Sequence, residues 1–231
     1  SPMARILVTA ALALYNNLAN LWPPFNGMLY VPVNAAASAA LLVTALTVLG
    51  LSAGDLGLAQ ASLAAAGAGL LWGAVVTVPL LVAARTRAGA RLVADRRVRH
   101  LRGGALAYQA LVRVPLGTVL LEELAFRGVL FAAWRDRGDA VAAVVSCAVF
   151  AVWHVAPAAT MVRVNAPAAS RSLVVRSVAA TAIVTAGAGA ALLWLRIETG
   201  SLVAPFAAHA TVNSLATVAG AMAGARLDRA Q

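Results

Sequence analysis

The sequence predicts an all-α integral membrane protein, a bundle of about seven transmembrane helices (six to eight) around a buried polar cavity. Composition is the first reason: of 231 residues, 62% are hydrophobic and 11% charged, against about 45–50% and 25% in ordinary soluble domains. The second is a series of apolar runs, each near the length of about 20 helical residues that crosses the hydrocarbon layer. The third is a set of acids, imidazoles and an amide inside those runs, where each ionised carboxylate costs about 2.5–3.5 kcal/mol at mid-bilayer.

Taken in order, the runs fall at 4–22, 28–50, 61–84, 104–134, 139–156, 172–197 and 201–223. Ser1-Pro2-Met3 reads as a cloning remnant ahead of a native start at Met3, and the first run as a retained helix. Asn16, Asn17 and Asn20 in the first run and Asn34 in the second suit interhelical hydrogen bonds or helix ends. Leu51 to Gln60, with Asp55 and two glycines, suits a short interfacial piece. As one helix the fourth run would be about 45 Å long, so it should tilt, kink near Pro115 and Gly117, or begin in the interface. Trp22, Trp134 and Trp194 stand near run ends as interface anchors do. No repeat or soluble module interrupts the series, so residues 1–231 form one membrane domain, with the chemistry-bearing part at 104–222.

The net charge of +10 is carried by arginine alone, with no lysine. In a soluble protein that charge would suggest nucleic acid; here the arginines lie in loops between apolar runs, which excludes a nucleic-acid partner in favour of membrane orientation. Seven of them crowd the loop 85–103, which is expected to be cytoplasmic. Alternation then places the 157–171 loop and the C-terminus on the same side, giving twelve arginines inside, four outside (Arg5, Arg135, Arg137, Arg196) and two, Arg113 and Arg127, within helices. The expected location is the bacterial plasma membrane, with attraction of the basic loop to anionic lipid. His100 in that loop reads as solvated, and Glu198 beside Arg196 as a surface charge in a turn. The single Cys147 excludes an internal disulfide and reads as a small buried hydrophobe.

Depth brings the intramembrane polar groups together. Glu122 lies about 18 Å before Trp134, and His154 about 22 Å beyond Asp139, measured from one shared loop; His209 and Asn213 lie about 12 and 18 Å along the last run from the same face. Glu123 and Arg127 are spaced i, i+4 with the acid first, the favoured order for a helix ion pair. Glu123 is therefore the expected structural partner of Arg127, and Glu122, turned about 100° away, faces the cavity as the candidate general base. His209 and Asn213 share a face and suit an oxyanion site, while Phe150 shares a face with His154 and could position its imidazole.

The pattern Glu122-Glu123-x-x-x-Arg127, Phe150-x-x-x-His154, His209-x-x-x-Asn213 resembles the three-motif signature of the CPBP family, which includes the type II CAAX prenyl-proteases, the bacteriocin-processing proteins and the Abi proteins. The approach Arg196-Ile197-Glu198-Thr199-Gly200-Ser201 before His209 is similar to that family's turn into its last motif. The resemblance covers roughly 104–222; the first three runs match only in being hydrophobic. It implies an intramembrane endopeptidase in which Glu122 and His154 activate water while His209 and Asn213 stabilise the oxyanion, with a membrane-associated peptide or protein as substrate. No Ser or Cys stands in a convincing triad. Two His and one Glu (Glu122, His154, His209) could also hold zinc, but a metal-free glutamate mechanism is favoured and no cofactor is expected. Two other readings compete: a non-proteolytic adaptor or chaperone that binds a partner helix in the same cavity, and an ion-coupled transporter, disfavoured by the lack of an inverted repeat.

Overall fold

The structure is a computed structural model and describes residues 1–229, so the last two residues of the expected 1–231 domain lie outside it. The elements are helices, with no strand among the described residues. They are α1 (Pro2–Ala19), α2 (Tyr30–Thr47), α3 (Leu63–Ala84), α4 (Arg87–Val93), α5 (the continuous helix 103–134), α6 (Asp139–Trp153), α7 (Val155–Asn165), α8 (Arg171–Thr199) and α9 (Val203–Asp228). Among the described residues four stretches are long and apolar enough by length and composition to cross a membrane: α2, α3, α8 and the pair α6 and α7 taken together. The protein is an all-α membrane bundle.

Each apolar run is a helix, with two additions inside predicted loops. The basic loop holds α4, whose first turn is capped by Thr86 Oγ accepting from the Gly89 N–H at 3.0 Å. The 157–171 loop is helical to Asn165, because Pro157 sits in the first turn of α7, where a missing N–H leaves no intrahelical bond unmade. The piece 51–60 is a chain of turns rather than a helix.

The long α5 changes its winding along its length. It is α-helical at Gly103–Tyr108, Leu120–Glu123 and Phe131–Trp134, and wound more widely as π-helix at Gln109–Val119 and Leu124–Leu130. Pro115 has no N–H and its ring crowds the carbonyl four residues back, and the wider turn relieves that clash. The N–H of Leu120 accordingly reaches the carbonyl of Pro115, five residues back. A Cβ on Gly117 would stand 2.9 Å from the Tyr30 ring, so glycine lets α2 close on this wide turn. There the Asn34 carboxamide donates to the Gly117 carbonyl at 2.6 Å.

The most extensive helix pairing, α3 with α9, is a contact of small residues. Ala65, Gly69, Gly73 and Thr77 recur every fourth position and are all buried. A Cβ on Gly69 would press on the Ala204 carbonyl, and one on Gly73 would stand 2.7 Å from both the Ala208 carbonyl and Thr211 Cβ. Lipid supplies no hydrophobic drive between helices, so close backbone approach and dispersion hold this pair. It fixes the helix that carries His209.

At the arginine-rich end, Gly220 and Gly224 of α9 pack against Val98 and Arg99, so the 94–102 segment and the end of α9 share one face of the bundle. Asn165 at the end of α7 donates to Asp95 at 3.2 Å. Burial pushes the Asp95 carboxyl up, but hydrogen bonds from Arg97 and Asn165 outweigh it and hold the group below its ordinary value. Two arginines counted on the opposite side prove buried rather than solvated. Arg5 donates to the Ala133 carbonyl at 3.1 Å and pairs with Asp136, and Arg196 donates to the Asp55 carbonyl at 3.0 Å while lying against Gly57. Glu198 is exposed, in the last turn of α8.

Candidate active site

Glu122 and Glu123 occupy the α-helical turn of α5 between its two wide segments, and both are buried, at 4% and 1% exposure. Arg127, one turn on, is equally buried and reaches Glu123 Oε1 at 3.2 Å. The guanidinium lies 4.1 Å over the Phe150 ring, which supplies a second, cation–π contact. Gly189 of α8 makes room for this stack: a Cβ there would meet Phe150 at 3.1 Å and Arg127 Nη2 at 3.4 Å.

His154 stands at the break between α6 and α7, with φ −94° and ψ 2°, in the sparsely populated bridge region. The break has a local cause and a long-range repair. Pro157 offers no N–H to the Trp153 carbonyl four residues back, and Asn16 Nδ2 of α1 donates to that carbonyl instead, at 3.0 Å. Next to it the Asn17 carboxamide inserts into the helical ladder, donating to the Val152 carbonyl at 2.9 Å and accepting from the Ala156 N–H at 2.8 Å. The His154 ring packs edge-on to Phe150 at 4.6 Å, and its Nδ1 lies 2.7 Å from the Phe150 carbonyl. A proton on Nδ1 donated there leaves Nε2 as the acceptor on the side of Glu122.

His209 enters from the second turn of α9. Its Nδ1 is 2.7 Å from Glu123 Oε1, a carboxylate–imidazole contact that fixes the ring plane. Three of the four predicted residues thus meet. Glu122 Oε1 is 3.9 Å from His154 Nε2, and Glu122 Oε2 is 3.7 Å from His209 Nε2. Both separations exceed a direct hydrogen bond. Asn213 lies one turn beyond His209 and is half-buried; among the described residues its carboxamide makes no hydrogen bond.

Two contributions escape a reading of spacing alone. Trp153 donates its indole N–H to Glu122 Oε1 at 3.0 Å, and its ring is stacked by Tyr15 of α1 at 5.6 Å. Tyr15 donates in turn to Asn34 at 2.8 Å. The first two helices therefore build the wall behind Glu122. The second contribution is the double use of Glu123, which the i, i+4 rule assigns to Arg127 but which also holds His209. The asparagines and Pro157 were the available signals for the wall, since a proline marks the carbonyl it leaves free.

The Glu122, His154 and His209 donors satisfy two edges of a metal polyhedron loosely, but among the described residues no group of three His, Cys, Asp or Glu side chains is arranged to hold an ion as it stands. Residues 104–215, just under half the chain, match the family described as type II CAAX prenyl endopeptidase Rce1-like. That segment contains every residue of the cluster on α5, α6 and α9. No curated protein and no solved structure matches the chain. The 104–215 segment of this integral membrane protein is thus similar to the Rce1-like family of type II CAAX prenyl endopeptidases.

Proposed function

We propose that the protein is an intramembrane endopeptidase that hydrolyses a peptide bond of a membrane-associated peptide or protein with Glu122, His154, His209 and Asn213. The observation that carries this reading is the single buried Glu122 carboxylate facing two imidazole nitrogens at 3.9 and 3.7 Å, with one oxygen held by Trp153. A water between Glu122 and His154 loses its proton to the carboxylate as it attacks the scissile carbonyl. The proton then passes to the leaving amine, so that water is divided between the new carboxyl and the new amine.

The developing oxyanion needs donors, and His209 with Asn213 stands on the facing helix. With Nδ1–H directed at Glu123, His209 donates from Nε2 only as the imidazolium, and the Glu123 carboxylate supplies the counter-charge that cation needs. Zinc held by Glu122, His154 and His209 would supply a Lewis acid and an activated water in place of this base. The basic face and the C-terminus are assigned to the cytoplasm on arginine count.

The test is cleavage of a quenched-fluorescent peptide library by the detergent-purified protein beside Glu122→Gln, with prenylated and unprenylated peptides as separate arms. Loss of cleavage in the variant, with the thermal transition retained, is expected; equal cleavage by both proteins overturns the assignment of Glu122. Asn213→Ala is expected to lower turnover by about 10²–10³, as for a lost oxyanion donor. Activity surviving chelation in a sample free of zinc decides for the glutamate base, and activity tracking zinc content decides against it.

A further inference from the structure

At the arginine-rich end the protein has a cavity of about 350 Å³ that the proposed chemistry does not use. It opens between the end of α3, the start of α5 and the last turns of α9. Its floor is apolar, made by Leu101, Leu106, Met222 and neighbouring alanines, and its rim carries Arg85, Arg102, Arg226 and Arg229. Among the described residues no carboxylate lines it. Arg102 is committed to backbone carbonyls, including that of Ala221 at 3.5 Å, which closes one wall. Arg85 and Arg226 are exposed and make no ion pair among the described residues.

The groove stands where the chain passes from water to hydrocarbon. Tyr108, 50% exposed, and Leu111, 71% exposed, follow on the same helix within two turns of Leu106, a polar-tipped ring and then a bare alkyl chain as the lipid interface favours. We propose that this groove binds one anionic phospholipid, its headgroup phosphate between Arg85 and Arg226 and its glycerol and upper acyl carbons on the Leu101, Leu106 and Met222 floor. Unpaired guanidiniums match a phosphate, and basic pockets between membrane helices are suited to such headgroups. The apolar floor selects a lipid over a free anion. The absence of an aromatic side chain from the lining gives a nucleotide base nothing to stack on.

The site is tested on the full chain in neutral detergent by non-denaturing mass spectrometry, titrating phosphatidylglycerol against phosphatidylcholine, with inorganic phosphate and an acidic peptide as further arms. One phosphatidylglycerol per chain is expected to bind in preference to phosphatidylcholine. The double variant Arg85→Gln/Arg226→Gln should weaken it by about fivefold for each arginine, roughly 25-fold together. Arg91→Gln/Arg96→Gln, two exposed arginines of the same face that do not line the groove, should leave it unchanged. Met222→Trp, which fills the floor and keeps every arginine, should also abolish it. Equal loss in both double variants, or binding that survives Met222→Trp, overturns a defined site in favour of diffuse attraction. Displacement by millimolar inorganic phosphate, or by the acidic peptide, overturns the lipid assignment.

Discussion

Glu123 Oε1 lies 2.7 Å from Nδ1 of His209 and 3.2 Å from Nη1 of Arg127, so one carboxylate oxygen ties a buried cation on its own helix to an imidazole 86 residues away. Glu123→Gln keeps the size of the side chain and removes the charge. It is expected to lower kcat by about 10–100-fold, the usual effect of losing the outer partner of a functional imidazole, with KM little changed. Glu123→Ala also strands the buried Arg127 and should cost about 3–5 kcal/mol of stability. Steady-state kinetics and thermal unfolding, measured together, separate the two effects.

Trp153 is the only side chain that hydrogen-bonds Glu122 among the described residues. Trp153→Phe keeps an aromatic face for Tyr15 and deletes the donor. The expected result is a kcat lower by about 10–100-fold with an almost unchanged thermal transition. A variant as active as the parent would show that the indole merely fills space.

Asn17 satisfies two backbone groups, the Val152 carbonyl and the Ala156 N–H. Asn17→Ala leaves both without that partner and should cost up to about 1–3 kcal/mol, chiefly at the part-buried Ala156 N–H, seen as a lower unfolding midpoint. Turnover should fall with it, because His154 sits inside the gap that Asn17 bridges. Asn20→Ala is the control: Asn20 bonds only within its own helix, to Asn16, and its loss should be nearly silent.

Gly73→Leu drives a branched side chain into the Ala208 carbonyl and Thr211 across the α3 and α9 contact. Overpacking costs typically about 1–3 kcal/mol, and a backbone obstacle that cannot rotate away puts this case at or above the upper end. Because α9 carries His209, activity should fall more steeply than stability. Gly67→Leu on the same helix meets open space and should do neither.

The helical runs and the depth of Glu122, His154 and His209 were legible because apolar length and a 1.5 Å rise per residue are local quantities. The Glu123 and Arg127 pair was legible for the same reason. What spacing does not encode is which distant residue completes a broken ladder: Asn16 and Asn17 could be read as interhelical donors, but not as the repair of the break that Pro157 makes. The partner of Arg196 was not legible either: its guanidinium is spent on the 51–60 turns, which are drawn onto the start of α9 by the Leu202 N–H bonding the Gly57 carbonyl at 2.9 Å. The π-wound segments of α5 were foreshadowed by an excess of length and a proline, although a kink would have answered both.

The order in which the ribosome delivers these groups gives the Arg127 contact a role in biogenesis. When α5 reaches the membrane, the indole that bonds Glu122 is 31 residues away from being joined to it, and the imidazole that bonds Glu123 is 86 residues away. In that interval the nascent segment carries two acids and an arginine, each at about 2.5–3.5 kcal/mol when unpaired, and the Glu123–Arg127 contact is the pairing its own helix can make. Arg127→Ala should therefore be visible before any substrate is offered, as newly made chains that fail to integrate and are lost to proteolysis. On that order, the last helix would close the assembly by bringing the His209 imidazole to Glu123.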